Sequence, residues 1–206
     1  DRRRACYPCA SPDLDAAMRP ALLLAALLSS PATTFAQSSP PTPDHPVATS
    51  APAAAEVDVA SIDAILGALY AVISGPVGQA RDWNRLRSLF IPGARMMPIG
   101  ERADGSVGIR LLAVNDYVAL SGPLLVERGF RERELARRTE RFGHLAQVFS
   151  TYEGTVAAGG APIRGINSIQ LMHDGRRWWI VSLAWAPETA SQPLPQAYLP
   201  ADADTR

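Results

Sequence analysis

Apolar residues recur at helical spacing in three stretches of the chain's first part and at alternate positions in four stretches of its second. Ile62, Ile65, Leu66, Leu69 and Ile73 form one helical stripe. Ser61 precedes it as an N-cap, Asp63 lies in its first turn, and Gly75-Pro76 stops it. Asp82 caps a second, short helix with Trp83, Leu86 and Phe90 on one face, and Ile91-Pro92-Gly93 ends it. A third helix begins at Asn115 with Tyr117, Val118 and Leu120, and Gly122-Pro123 is expected to kink or split it.

After Gly129 the period changes from 3.6 to 2. Strands are predicted over 130–141, 143–156, 163–172 and 177–185. Asp174-Gly175 reads as a two-residue hairpin turn between the last two. Pairing His173 with Arg176 then puts Asn167, Ile169, Leu171, Trp178, Ile180 and Ser182 on one face. Both faces of this hairpin are largely apolar, so both are expected to be covered. Helices cover one, and a partner subunit is the economical cover for the other, which predicts a homodimer through the sheet.

The ends of the chain read differently. Residues 1–17 precede Met18 and are read as an extension without a role; they hold Cys6 and Cys9, the only two cysteines. Residues 18–36 have the pattern of a cleavable secretory signal: Arg19, the apolar run Ala21–Leu28, and Thr34-Phe35-Ala36 at the cleavage site. An apolar run of eight is too short to span a bilayer, which takes about 20 residues. A periplasmic or secreted location follows as an expectation. Residues 37–57, rich in Pro, Ala, Ser and Thr, read as a disordered linker; 58–187 as one domain; 188–206 as a flexible tail that Tyr198 and Leu199 could dock.

Composition narrows the chemistry. The chain has 206 residues and a formal net charge of zero, so it carries no electrostatic footprint for nucleic acid. All 20 basic residues are arginine, which excludes a Schiff-base or P-loop lysine. No glycine-rich nucleotide loop, nucleophile elbow or metal-ligand spacing is present, so neither a cofactor nor a metal is expected.

Three stretches resemble the NTF2-like superfamily, specifically its SnoaL-like bacterial proteins of unknown function. They are residues 82–90 with Pro92-Gly93-Ala94, residues 130–153 with Arg141-Phe142-Gly143-His144 at their centre, and 164–171 with Asp174-Gly175 and Arg177–Ser182. The resemblance implies an α+β fold: N-terminal helices packed on a curved antiparallel sheet to form a cone. That scaffold hosts isomerases, cyclases, dehydratases and binding modules. Its ketosteroid isomerase-like members imply a tyrosine donor on the first helix, where Tyr70 stands, and a carboxylate base just after the first strand. That position falls near Met97-Pro98, which has no carboxylate; Glu101 and Asp104 lie in a loop beyond.

The candidate ligand-binding residues are therefore Tyr70, Trp83, Arg141, His144, Tyr152, Asn167, Trp178 and Ser182. Each has a structural reading beside the functional one: tyrosines and tryptophans as core or interface, His144 as a strand histidine bonded within the sheet. Asn167 and Ser182 are predicted neighbours on an apolar face, where polar groups need each other or a ligand. Arg131-Glu132-Arg133-Glu134 alternates, with both arginines on one face and both glutamates on the other, and reads as cross-strand ion pairing. The leading expectation is a small, largely apolar ligand bound in the cone. The alternatives are an isomerase, dehydratase or hydrolase with a Tyr/His pocket, or a cell-envelope interaction module.

Overall fold

The computed structural model describes residues 51–102 and 104–200. The expected leader, the expected extension before it and most of the expected linker lie outside the described residues. A one-turn helix, α1, at Glu56–Val59 straddles the expected start of the domain at residue 58. Helix α2 spans Ile62–Ile73, and the Ser61 side chain accepts the Ala64 N–H at 3.0 Å as its cap. Helix α3 spans Trp83–Leu89, capped by Asp82 on the Arg85 N–H at 2.8 Å.

Strand β1 (Phe90–Glu101) follows α3 directly, and the short β2 (Val107–Ile109) and β3 (Leu112–Ala113) pair back onto it. Helix α4 runs unbroken over Val114–Arg128, with Pro123 inside it. The expected split at Gly122-Pro123 does not occur. Gly122 is used for close packing instead: a Cβ there would stand 3.1 Å from the Trp83 ring.

The last four strands fall where alternation put them: β4 Phe130–Phe142, β5 Leu145–Val156, β6 Ile163–His173 and β7 Trp178–Pro187. The sheet order is β2-β1-β7-β6-β5-β4, antiparallel except where β1 runs parallel to β7. Helices lie on its inner face over a core of Ile65, Leu69, Leu86, Phe90, Val148, Ile169, Leu171 and Ile180. This is the α+β cone that the resemblance implies.

The last hairpin differs from its predicted pairing in two ways. Its loop has four residues, Asp174–Arg177, so His173 pairs with Trp178 rather than Arg176. The Asp174 carboxylate holds the loop by accepting the N–H groups of Arg176 and Arg177. A bulge between the Leu171–Ile180 and Gln170–Ser182 pairs leaves Val181 extra. A shift of two preserves the faces, whereas a bulge of one exchanges them. Leu183 and Trp185 therefore join Asn167 on the inner face, and Ser182 turns outward beside Gln170.

The chain itself supplies part of the outer cover. Arg177 stacks 3.6 Å over the Trp179 ring, whose Nε1 donates to Asp174. The segment after β7 returns across β5 and β4: the Thr151 hydroxyl donates to the Tyr198 carbonyl at 2.6 Å, and Tyr198 lies against Phe149 and Arg138. Buried Arg81 fastens the helices to one another. Its guanidinium donates to the carbonyls of Ile73, Gly75, Gln79 and Leu125, tying the end of α2 to α4. The room it occupies requires glycine at 75, where a Cβ would collide with it at 2.5 Å.

Candidate active site in the cone cavity

Inside the cone, between α2, α4 and the sheet, is a cavity of about 260 Å³. Apolar side chains, among them Leu69, Met96, Leu125 and Leu183, form most of its wall. Its polar groups are few and come from separate elements: Tyr117 and Ser121 from α4, Glu132 from β4, Tyr152 from β5 and Asn167 from β6. Residues 117, 121 and 125 recur every four residues and so share one face of α4.

One hydrogen-bond chain fixes the inner polar residues. Ser150 donates to the Glu134 carboxylate at 2.6 Å, which uses its only proton. The 2.6 Å contact between Tyr70 and Ser150 must then be donated by the Tyr70 hydroxyl. Tyr70 in turn accepts from Asn167 Nδ2 at 3.1 Å. The same amide nitrogen donates to Glu132 Oε1 at 3.2 Å. Tyr70 is thus the right residue for a buried polar role, but its proton points along the chain and away from the cavity.

Glu132 is the unusual group. Burial among apolar and aromatic side chains pushes its carboxyl up to about 7, against a weaker opposing pull from the Asn167 bond. Burial, then the nearby Glu132 charge, also holds the Tyr117 and Tyr152 hydroxyls far above their ordinary range. Tyr117 is 8% exposed and Tyr152 5%, and neither hydroxyl has a hydrogen-bond partner among the described residues. Two proton donors and a carboxyl near its midpoint at neutral pH thus line an apolar space. Such a set can hold a hydroxyl, carbonyl or amino group and exchange a proton with it. Gly165 makes the room: a Cβ there would meet the Tyr152 hydroxyl at 2.5 Å and the Ala186 carbonyl at 2.3 Å.

Of the residues expected at one site, Tyr152 and Asn167 line the cavity, and Tyr70 supports Asn167 from behind. The others lie elsewhere. Ser182 is on the outer face. His144 sits in the β4–β5 turn rather than within a strand, its Nδ1 2.8 Å from the His173 carbonyl. Eight residues of strand separate it from Tyr152, roughly 25 Å. Arg141 lies over the Trp178 ring at 5.0 Å, at the same end of the sheet as His144. Trp178 is core, and Trp83 packs against α4 outside the cavity.

Sequence reasoning missed Glu132 and Tyr117 as site residues, and it weighed Trp185 as a possible pocket wall but favoured core or interface for it. Alternation placed Glu132 and Glu134 on a common face, and the ion pairs are real for Arg133–Glu153 at 2.7 Å and Glu134–Arg137 at 3.2 Å. Glu132 makes no ion pair and turns into the cavity. Among the described residues no group of three or more His, Cys, Asp or Glu is placed to hold a metal.

The fold can be set beside known structures. No protein-family profile and no curated protein matches the sequence. Solved structures do match in fold. One is a cystatin-like protein of unknown function from Nostoc punctiforme, at 10% identity and a TM-score of 0.47, covering 63% of this chain and 90% of that one. Another is an NTF2-like protein of unknown function from Silicibacter pomeroyi, at 15% identity and 0.40, covering 63% and 94%. A third is a hexachlorocyclohexane dehydrochlorinase from Novosphingobium barchaimii, at 14% and 0.45, covering 66% and 93%.

Proposed function

We propose that this domain binds one small, largely apolar molecule in the cone cavity, with a polar group of that molecule held by Glu132, Tyr117 and Tyr152. The observation that carries the reading is a set of polar groups facing one apolar space: two tyrosine hydroxyls without a hydrogen-bond partner among the described residues, and a raised carboxyl bonded only to Asn167. A few polar groups converging on an apolar cavity are the usual means of orienting a small ligand, which would complete their bonding. Export of the mature protein through residues 18–36 belongs to the same proposal and rests on the pattern of that segment.

A second reading is favoured by one specific feature. A carboxyl that titrates near 7 can accept and return a proton at neutral pH, which suits an isomerase or dehydratase. Glu132 would be its general base, with Tyr117 and Tyr152 as donors to the oxygen that gains charge.

Methyl NMR of the mature protein with benzyl alcohol tests the binding reading. The expected result is saturable shifts at Leu69, Leu125, Ile163 and Leu183. Shifts confined to the outer face, or none at millimolar ligand, contradict it.

A further inference from the structure

We infer that the molecule this cavity takes is an organic cation, an amine or quaternary ammonium on an apolar body, with its charged end against Glu132 and the surrounding aromatic rings. The inference rests on the cavity being the ligand site proposed above.

The charges around the cavity point this way. Glu132 is the only carboxyl in the cavity wall, and no arginine or histidine lines it. The arginines near it are committed elsewhere. Arg133 pairs with Glu153, Arg137 with Glu134 and Asp63, and Arg81 with four backbone carbonyls. Arg131, the neighbour of Glu132 along β4, borders a separate depression beside α2 with it but makes no ion pair with it. Glu132 is half-buried and has no cationic partner among the described residues, and a charge in largely apolar surroundings is stabilised by one. A cationic ligand would supply it.

The remaining walls suit the same ligand. Four aromatic rings, of Tyr117, Phe130, Tyr152 and Trp185, line the same cavity as the carboxyl. Tyr117 and Trp185 stand at 89° with centroids 6.1 Å apart, forming a corner rather than a flat stack. Aromatic walls attract cations through the ring quadrupole, and more so when water is excluded. The tyrosine oxygens can also accept from an ammonium N–H. A neutral carbonyl compound would use the tyrosines as donors and would prefer Glu132 protonated, so the two ligand classes have opposite pH dependence.

The groups facing Glu132 are Tyr70 from α2, Tyr117 from α4, Glu134 on its own strand, Tyr152 from β5 and Asn167 from β6. None of the tyrosines titrates near neutrality, and Glu134 stays paired with Arg137. Ionisation of Glu132 thus governs the response.

Calorimetry with benzyltrimethylammonium, whose charge is fixed, and benzyl alcohol, which is uncharged, tests the inference. Affinity for the cation is expected to rise about a hundredfold between pH 5 and pH 8 as Glu132 ionises, while affinity for the alcohol falls modestly, because a neutral ligand beside Glu132 favours the protonated acid. Glu132→Gln is expected to lower cation affinity at pH 8 at least tenfold, abolish its pH dependence and leave the alcohol bound, which also shows that the variant is folded. Alcohol binding without cation binding, or cation binding unchanged in Glu132→Gln, overturns the inference and leaves the binding proposal standing. Binding of neither probe overturns both.

Discussion

Asn167 Nδ2 donates to both the Glu132 carboxyl and the Tyr70 hydroxyl, at 3.2 and 3.1 Å. One amide thereby joins a cavity-facing acid to a chain that ends at a surface ion pair, since Glu134 is held by Arg137 and Arg137 by Asp63. The acid is held in place without being neutralised, and the cavity keeps one group that titrates near neutrality.

The stability of the domain should report this acid. The folded Glu132 carboxyl lies near 7, above its ordinary 4.5, so the folded state binds the extra proton. Its contribution is fully present below about 4.5 and is lost as pH rises through 7. Glu132→Gln removes the group. In urea titrations the variant should match the parent at pH 4 and exceed it at pH 8 by about 2 kcal/mol, with about 3 kcal/mol as the upper bound for this shift. Equal stabilities at pH 8 would show that Glu132 is well hydrated.

Tyr70→Phe tests the chain behind the acid. It leaves Asn167 without one acceptor and Ser150 without a donor, at a cost of about 1–3 kcal/mol. It should also alter the titration of Glu132, because Asn167 can then reorient. A Tyr70→Phe protein with parental stability and parental Glu132 titration would show that the chain does not form.

Gly165→Ala places a methyl group against the Tyr152 hydroxyl and the Ala186 backbone. The carbonyl cannot move away cheaply, so the variant should lose about 2 kcal/mol and bind benzyl alcohol more weakly as the Tyr152 ring is displaced. Gly67→Ala is the control: nothing lies within 4 Å of a Cβ there, and α2 should gain slightly from the better helix former.

Arg81→Met tests the clamp between α2 and α4. Four carbonyls lose their donor, and burial leaves them little access to water, so destabilisation of about 3 kcal/mol is expected. Hydrogen exchange should accelerate first in the second half of α4, which carries the cavity residues Ser121 and Leu125. Uniform acceleration across the domain would show that the clamp is not local.

Much of the fold was legible in the sequence because its signals are local. Ser61 and Asp82 cap the helices they precede, and period-2 alternation located β4 to β7 within a few residues. The site was less legible because it depends on long-range register. Val181 reads as one more strand residue, yet as a bulge it exchanges the faces of everything after it, removing Ser182 and admitting Trp185. Glu132 carried a correct facing, but its neighbours Asn167 and Tyr152 come from strands whose alignment no local pattern sets. Tyr117 fell on a helix whose orientation over the sheet depends on Arg81 and on Trp83 packing against Gly122. His144 looked like a site residue by type, and its place in a turn at the far end of the sheet decided otherwise.

The most direct test is a carbon-13 NMR titration of the Glu132 carboxyl in the mature protein, free and with benzyl alcohol. A midpoint near 7 that moves when the cavity is filled is the predicted result. A midpoint at the ordinary 4.5, unmoved by the ligand, would contradict the assignment of Glu132 as the polar anchor of this cavity.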